Sequence, residues 1–208
     1  MRIWLRWYRV LFALLVLAAI FVQLSRSSGR GFSTVNFFSF FTIESNLFAA
    51  LVLLWQGTGI PPHFSQTTTD FIRGAAVLYM TITGVVYGLL LAGYQQELQT
   101  TLPWVDTVLH RVFPLVLVAD WLIEPPRERI ALRPAMLWLA YPLLFVVYSL
   151  IRGPIVHWYP YPFLDPHRAG GYGVVVLYCL GIGLGAVIGV WLVVMCGRAL
   201  RLVAQWPA

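Results

Sequence analysis

Apolar residues fall along the chain in six long runs, at 10–24, 34–55, 74–96, 106–123, 134–151 and 171–197. Each run reaches or approaches the ~20 residues that cross hydrocarbon as a helix. The segments between them are short and rich in Pro, Gly, Asn, Gln and Arg. Between the last two runs, Pro154, Pro160, Pro162 and Pro166 forbid a continuous helix. The third run carries no charge, the second is interrupted by Glu44 and Asn46, and the fourth holds His110, Arg111 and Asp120. The first follows Arg2, Arg6 and Arg9, interleaved with Trp4, Trp7 and Tyr8, as a signal peptide would. It ends in Ser25-Arg26-Ser27-Ser28-Gly29-Arg30, without a small-x-small cleavage pattern, so it is expected to remain as a first helix. The pattern predicts an all-α integral membrane protein, with residues 1–208 forming a single bundle of about six transmembrane helices.

Composition closes off the soluble alternative. Hydrophobic residues make up 60% of the chain and charged ones 11%, with a mean hydropathy of +0.78. A soluble domain carries roughly 25% charged residues, which this chain cannot supply. The net charge is +6 and every basic residue is Arg. These arginines sit at the ends of the apolar runs, where they read as topology signals and lipid-headgroup contacts rather than as a nucleic-acid surface. An even number of crossings puts both termini on one side. Arg2, Arg6, Arg9, Arg127, Arg129, Arg133, Arg198 and Arg201 fall there too, so that side is expected to be the cytoplasm. Cys179 and Cys196 share the last helix about 25 Å apart, too far to bond to each other. Gly181, Gly185 and Gly189 recur every four residues, which predicts close packing within the bundle or across a homodimer.

Ionisable groups inside apolar spans are costly, so each is a functional candidate. Asp120 and Arg73, both near the inner surface, are expected to pair with each other. The outer half holds the chemistry. Thr42, on the second helix, and His110, on the fourth, lie at expected depths of about 12 and 6 Å, close enough for their side chains to meet. Asp106 precedes His110 by four residues and shares its helical face, so it can hold one ring nitrogen while the other faces Thr42. Ser45 and Asn46 share the face of Thr42 and are candidate oxyanion donors. A hydroxyl beside an oriented imidazole is the logic of acyl-transfer hydrolases. The plainer alternative is a Thr that bonds its own backbone and an interfacial His. A carrier using Glu44, Asp120 and Arg73 as a relay is a competing class, against which the absence of visible repeat halves counts. Haem binding between His110 and His157 is a third. No ligand-spaced metal set is visible, since His63 lies on the opposite side from His110, and no cofactor is expected.

Three stretches carry a family likeness. They are Phe40-Phe41-Thr42-Ile43-Glu44-Ser45-Asn46, then Trp104 to His110 followed by Phe113-Pro114, and Trp158-Tyr159-Pro160-Tyr161-Pro162-Phe163-Leu164-Asp165. With them the chain resembles the androgen-induced-gene family of membrane threonine hydrolases. The resemblance implies cleavage of fatty acid esters of hydroxy fatty acids, or related long-chain esters, within the bilayer. It places the nucleophile on Thr42 and the base on His110. Glu44, Trp104, Arg111, His157, Trp158 and Tyr161 then fall where a substrate pocket or its roof would be. Residues Ile43 to Asn46 are more polar than the family's counterpart, and the step from His110 to Pro114 is one residue shorter.

Overall fold

The structure, a computed structural model, describes residues 3–60, 64–100 and 102–204. Arg2 and His63, both weighed above, lie outside the described residues. Among those described, every regular element is helical. Six long helices follow the six apolar runs: α1 (Ile3–Gly29), α2 (Phe41–Thr58), α3 (Gln66–Leu91), α4 (residues 103–123), α5 (Leu132–Val156) and α6 (Tyr172–Ala204). Four of these, α1, α3, α5 and α6, are long and apolar enough to cross a membrane. The other two fall short for a chemical reason. Helix α2 dilutes its 18 residues with Glu44, Ser45, Asn46 and Gln56, and α4 carries Asp106, His110, Arg111 and Asp120.

Most helices outrun the apolar stretch that announces them, because their ends are capped. Ser65 accepts a hydrogen bond from the Thr68 amide, at 3.1 Å, and starts α3 in polar sequence. Pro103 occupies the first turn of α4, where its missing N–H costs nothing. Gly59, at φ +70°, and His157, at φ +53°, end α2 and α5 in the left-handed conformation. The second run does not form one helix. It divides into a short turn, Thr34–Phe37, and α2, with Phe40 extended between them at φ −87°, ψ 127°. Ser39 stabilises the division by donating its hydroxyl to the Val35 carbonyl at 2.7 Å.

Helix α3 is the centre of the bundle. Of its most apolar stretch 56% is buried, against 22% for α5 and for α6. It packs against α2, α4 and α6, while α1 lies along α2. A buried charge network ties the end opposite the candidate site. Asp120 receives Arg9 at 2.6 Å and Arg73 at 3.1 Å, so the expected Arg73–Asp120 pair forms and gains a second arginine. Arg73 also donates to the Glu124 carbonyl at 2.6 Å. Arg9 also forms an ion pair with Glu124, its Nη2 2.8 Å from Oε2. Removing one partner of a buried network strands the others, at about 3–5 kcal/mol. Asp120→Ala should therefore lower unfolding stability in detergent by about that much. A loss under about 1 kcal/mol would mean that water or a relaxed backbone already satisfies both arginines.

Candidate active site

Thr42 is the second residue of α2, and the break at Phe40 gives it its character. The first four N–H groups of a helix have no acceptor within it. Here the Ile43 and Glu44 amides turn back to the Phe40 carbonyl, at 3.0 and 3.2 Å. The Thr42 amide instead donates to the Tyr161 hydroxyl at 3.1 Å, and the Thr42 hydroxyl lies 3.3 Å from the same oxygen. Phe40 is seated by the segment that delivers Tyr161, its ring centroid 5.5 Å from Trp158 and 5.8 Å from Tyr161. Thr42 thus holds a hydroxyl, a backbone donor and the positive end of a helix dipole at one point. A cavity of about 60 Å³ lies against it, walled by Phe41, Thr83, Phe145, Tyr161 and Ile182 among others.

His110 sits in α4 within a five-residue π turn, Val108–Val112, closed by the Phe113 amide on the Val108 carbonyl. Its counterpart across the interface, Tyr87, begins a second π turn, Tyr87–Leu91, closed by the Ala92 amide on the Tyr87 carbonyl at 2.8 Å. Each turn re-aims a side chain inward, a device common at functional sites. The two rings stack, with centroids 4.1 Å apart and planes 8° from parallel. Gly84 permits this approach, since a Cβ there would press on Pro114 at 3.1 Å. His110 Nδ1 lies 3.1 Å from Asp106 Oδ1 and 3.2 Å from the Asp106 carbonyl, as the four-residue spacing predicts. Asp106 in turn accepts from the Tyr87 hydroxyl at 2.5 Å and from Thr100 at 2.9 Å. All four residues are buried. The carboxylate fixes which nitrogen carries the ring proton and leaves Nε2 without a partner among the described residues.

Thr42 and His110 do not hydrogen-bond each other. Asn46 holds their two turns together, donating to the Thr42 carbonyl at 2.8 Å and to the Leu109 carbonyl at 3.2 Å. Ser45 donates to the Thr42 carbonyl at 3.3 Å and lies 2.9 Å from the Thr83 hydroxyl. The donors expected to meet an oxyanion are thus committed to backbone. Glu44 accepts from Tyr141 at 2.6 Å. Arg111 lies over the Tyr87 ring at 5.7 Å, outside the stacked pair. Trp104 and His157 are exposed, and their side chains form no hydrogen bond among the described residues. Trp158 and Tyr161 do come over the start of α2.

Reasoning from sequence missed Tyr87, Thr100 and Thr83. Tyr87 left one signal, a phenol that needs a partner inside a run without charge. Comparison with known proteins brings no match, whether to a protein-family model, a curated protein or a solved structure.

Proposed function

We propose that the protein is a membrane-embedded hydrolase of long-chain lipid esters that uses Thr42 as nucleophile and His110 as base. The observation that carries this reading is the placing of Thr42. Its hydroxyl and its own N–H, which no helix carbonyl takes, meet the Tyr161 hydroxyl beside a cavity, at the first turn of a helix. In the proposed reaction Thr42 Oγ1 attacks the ester carbonyl carbon, and its proton passes to His110 Nε2. The tetrahedral oxyanion takes the Thr42 N–H and the Tyr161 O–H, the role expected of Asn46 and Ser45. Collapse of the intermediate breaks the ester C–O bond, and His110 returns the proton to the departing alcohol. Water then attacks the acyl-threonine with the same base, releasing the acid and restoring the hydroxyl. Asp106 orients the imidazole and stabilises it once charged. Thr42 and His110 close their remaining gap around the substrate, as catalytic hydrogen bonds often do. Fluorophosphonate labelling of the purified protein tests the reading, since a carrier has no activated nucleophile to label.

The same reading carries all six helices across a bilayer. Thr42, Ser45, Asn46, Asp106, His110 and Asp120 are buried in the bundle, which is what crossing demands of them, while Arg111 is exposed and its long side chain must reach for the interface. The arginine distribution puts both termini and the loop after α4 in the cytoplasm, and the Thr42 site in the outer half. Cysteines placed at Ser27 and Asp165 should react with an impermeant reagent in intact cells. Reaction at both only after permeabilisation would invert the orientation. Against a carrier stands the locking of Asp120 between two arginines, which leaves it poorly placed as a relay.

A further inference from the structure

Between α3 and α6 runs an apolar groove of about 570 Å³, within the size range of ligand pockets. Leu78, Ile82 and Val86 form one wall, and Leu177, Gly181 and Gly185 the other. Gly181 and Gly185 do not pack against the bundle, for a Cβ at either would meet nothing within 4 Å. Only Gly189 is a contact, with Leu78 2.8 Å from its Cβ position. The close packing expected of this glycine row is therefore confined to one member within the chain, and the others hollow out the groove.

Ile82, Val86 and Ile182 line both this groove and the cavity at Thr42, so the two adjoin and share these side chains as a common wall. Along α6 the groove runs from Val174 to Gly189, about 22 Å. That exceeds the half-thickness of a ~30 Å hydrocarbon core, the reach of one lipid chain. Volume over length gives a mean cross-section of about 26 Å², some 5 Å across. A helix with its side chains measures about 10–12 Å and cannot sink into such a trench. A single polymethylene chain fits it.

Resting on the hydrolase reading, we infer that this groove seats one acyl chain of the ester substrate, entering sideways from the bilayer with its carbonyl delivered to Thr42. The wall it shares with the Thr42 cavity, formed by three side chains that can shift, separates this seat from ordinary lipid contact elsewhere on the bundle.

Gly185→Leu puts a branched side chain into the groove from a position whose Cβ meets nothing within 4 Å. In nanodiscs it should cut kcat/KM for a palmitoyl ester about tenfold or more, and leave that for a butyryl ester within about twofold. Equal losses on both esters, or none on either, would overturn the proposal. So would a change from dimer to monomer with an unchanged chain-length profile, which would make the row a helix–helix seam. A second measurement does not depend on catalysis. Palmitic acid with a mid-chain diazirine, photolysed on Thr42→Ala protein, should place its adducts on Leu177, Ile182 and their neighbours, and lose them in Thr42→Ala/Gly185→Leu. Adducts spread evenly over the outer faces of α5 and α6 would mean simple solvation and sink the idea. Groove adducts on a protein whose wild type hydrolyses no ester would support the acyl seat while the hydrolase reading falls, so the two failures are told apart.

Discussion

Thr42→Ala is expected to abolish both fluorophosphonate uptake and ester turnover, while Thr42→Ser retains a measurable part of each. The alanine variant removes the attacking atom and the serine variant keeps it. The substitution also isolates chemistry from folding better than most buried changes, because the Thr42 amide still donates to Tyr161 in either variant. Tyr161→Phe is the companion test. It removes one of two proposed oxyanion donors, for which losses of about 10²–10³ in kcat are typical, with KM nearly unchanged. Glu44→Gln should cost far less, since Glu44 is engaged with Tyr141 rather than with Thr42. A folded Thr42→Ala protein that still takes up the probe would end the assignment, and Ser45 would be the next nucleophile to examine.

His110→Ala should lower turnover by about 10²–10⁴-fold, the range for removal of a general base. Asp106→Asn is the more discriminating partner. An amide in place of the carboxylate keeps the size of the side chain but can present a donor to Nδ1 and so favour the wrong tautomer. Activity should then fall substantially while the Tyr87–His110 stack persists. Thermal unfolding and near-ultraviolet dichroism check that the stack survives. Unchanged kcat/KM in well-folded His110→Ala protein would remove the base from the mechanism, and Thr42 would need activation from elsewhere.

The helices were legible where the apolar pattern is strong, and so were contacts between residues one helical turn apart. Asp106 meets His110 because four residues bring them to one face, which needs no knowledge of the rest of the chain. The break ahead of α2 was not legible, because Phe37, Phe38, Phe40 and Phe41 read as uninterrupted apolar sequence. The Ser39 back-bond and the aromatic seat for Phe40 help to divide the run, and the seat comes from a segment 118 to 121 positions later. That error had a chemical cost. A helix begun at Thr34 would bury the Thr42 amide in its own ladder and leave the oxyanion to Asn46 and Ser45. Tyr87 escaped notice for a related reason, since its stack on His110 depends on two π turns that no spacing rule encodes.

The pairing of Arg9 with Asp120 imposes an order on biogenesis. The two residues lie 111 positions apart, so α1 leaves the ribosome long before Asp120 is made. Arg73, on the third helix to emerge, already has Asp70 at 3.5 Å on its own helix and gains Asp120 as a second carboxylate later. A product that stops short of the fourth helix therefore lacks the carboxylate that joins Arg9 to Arg73. The network that secures the finished bundle thus cannot close in any shorter product.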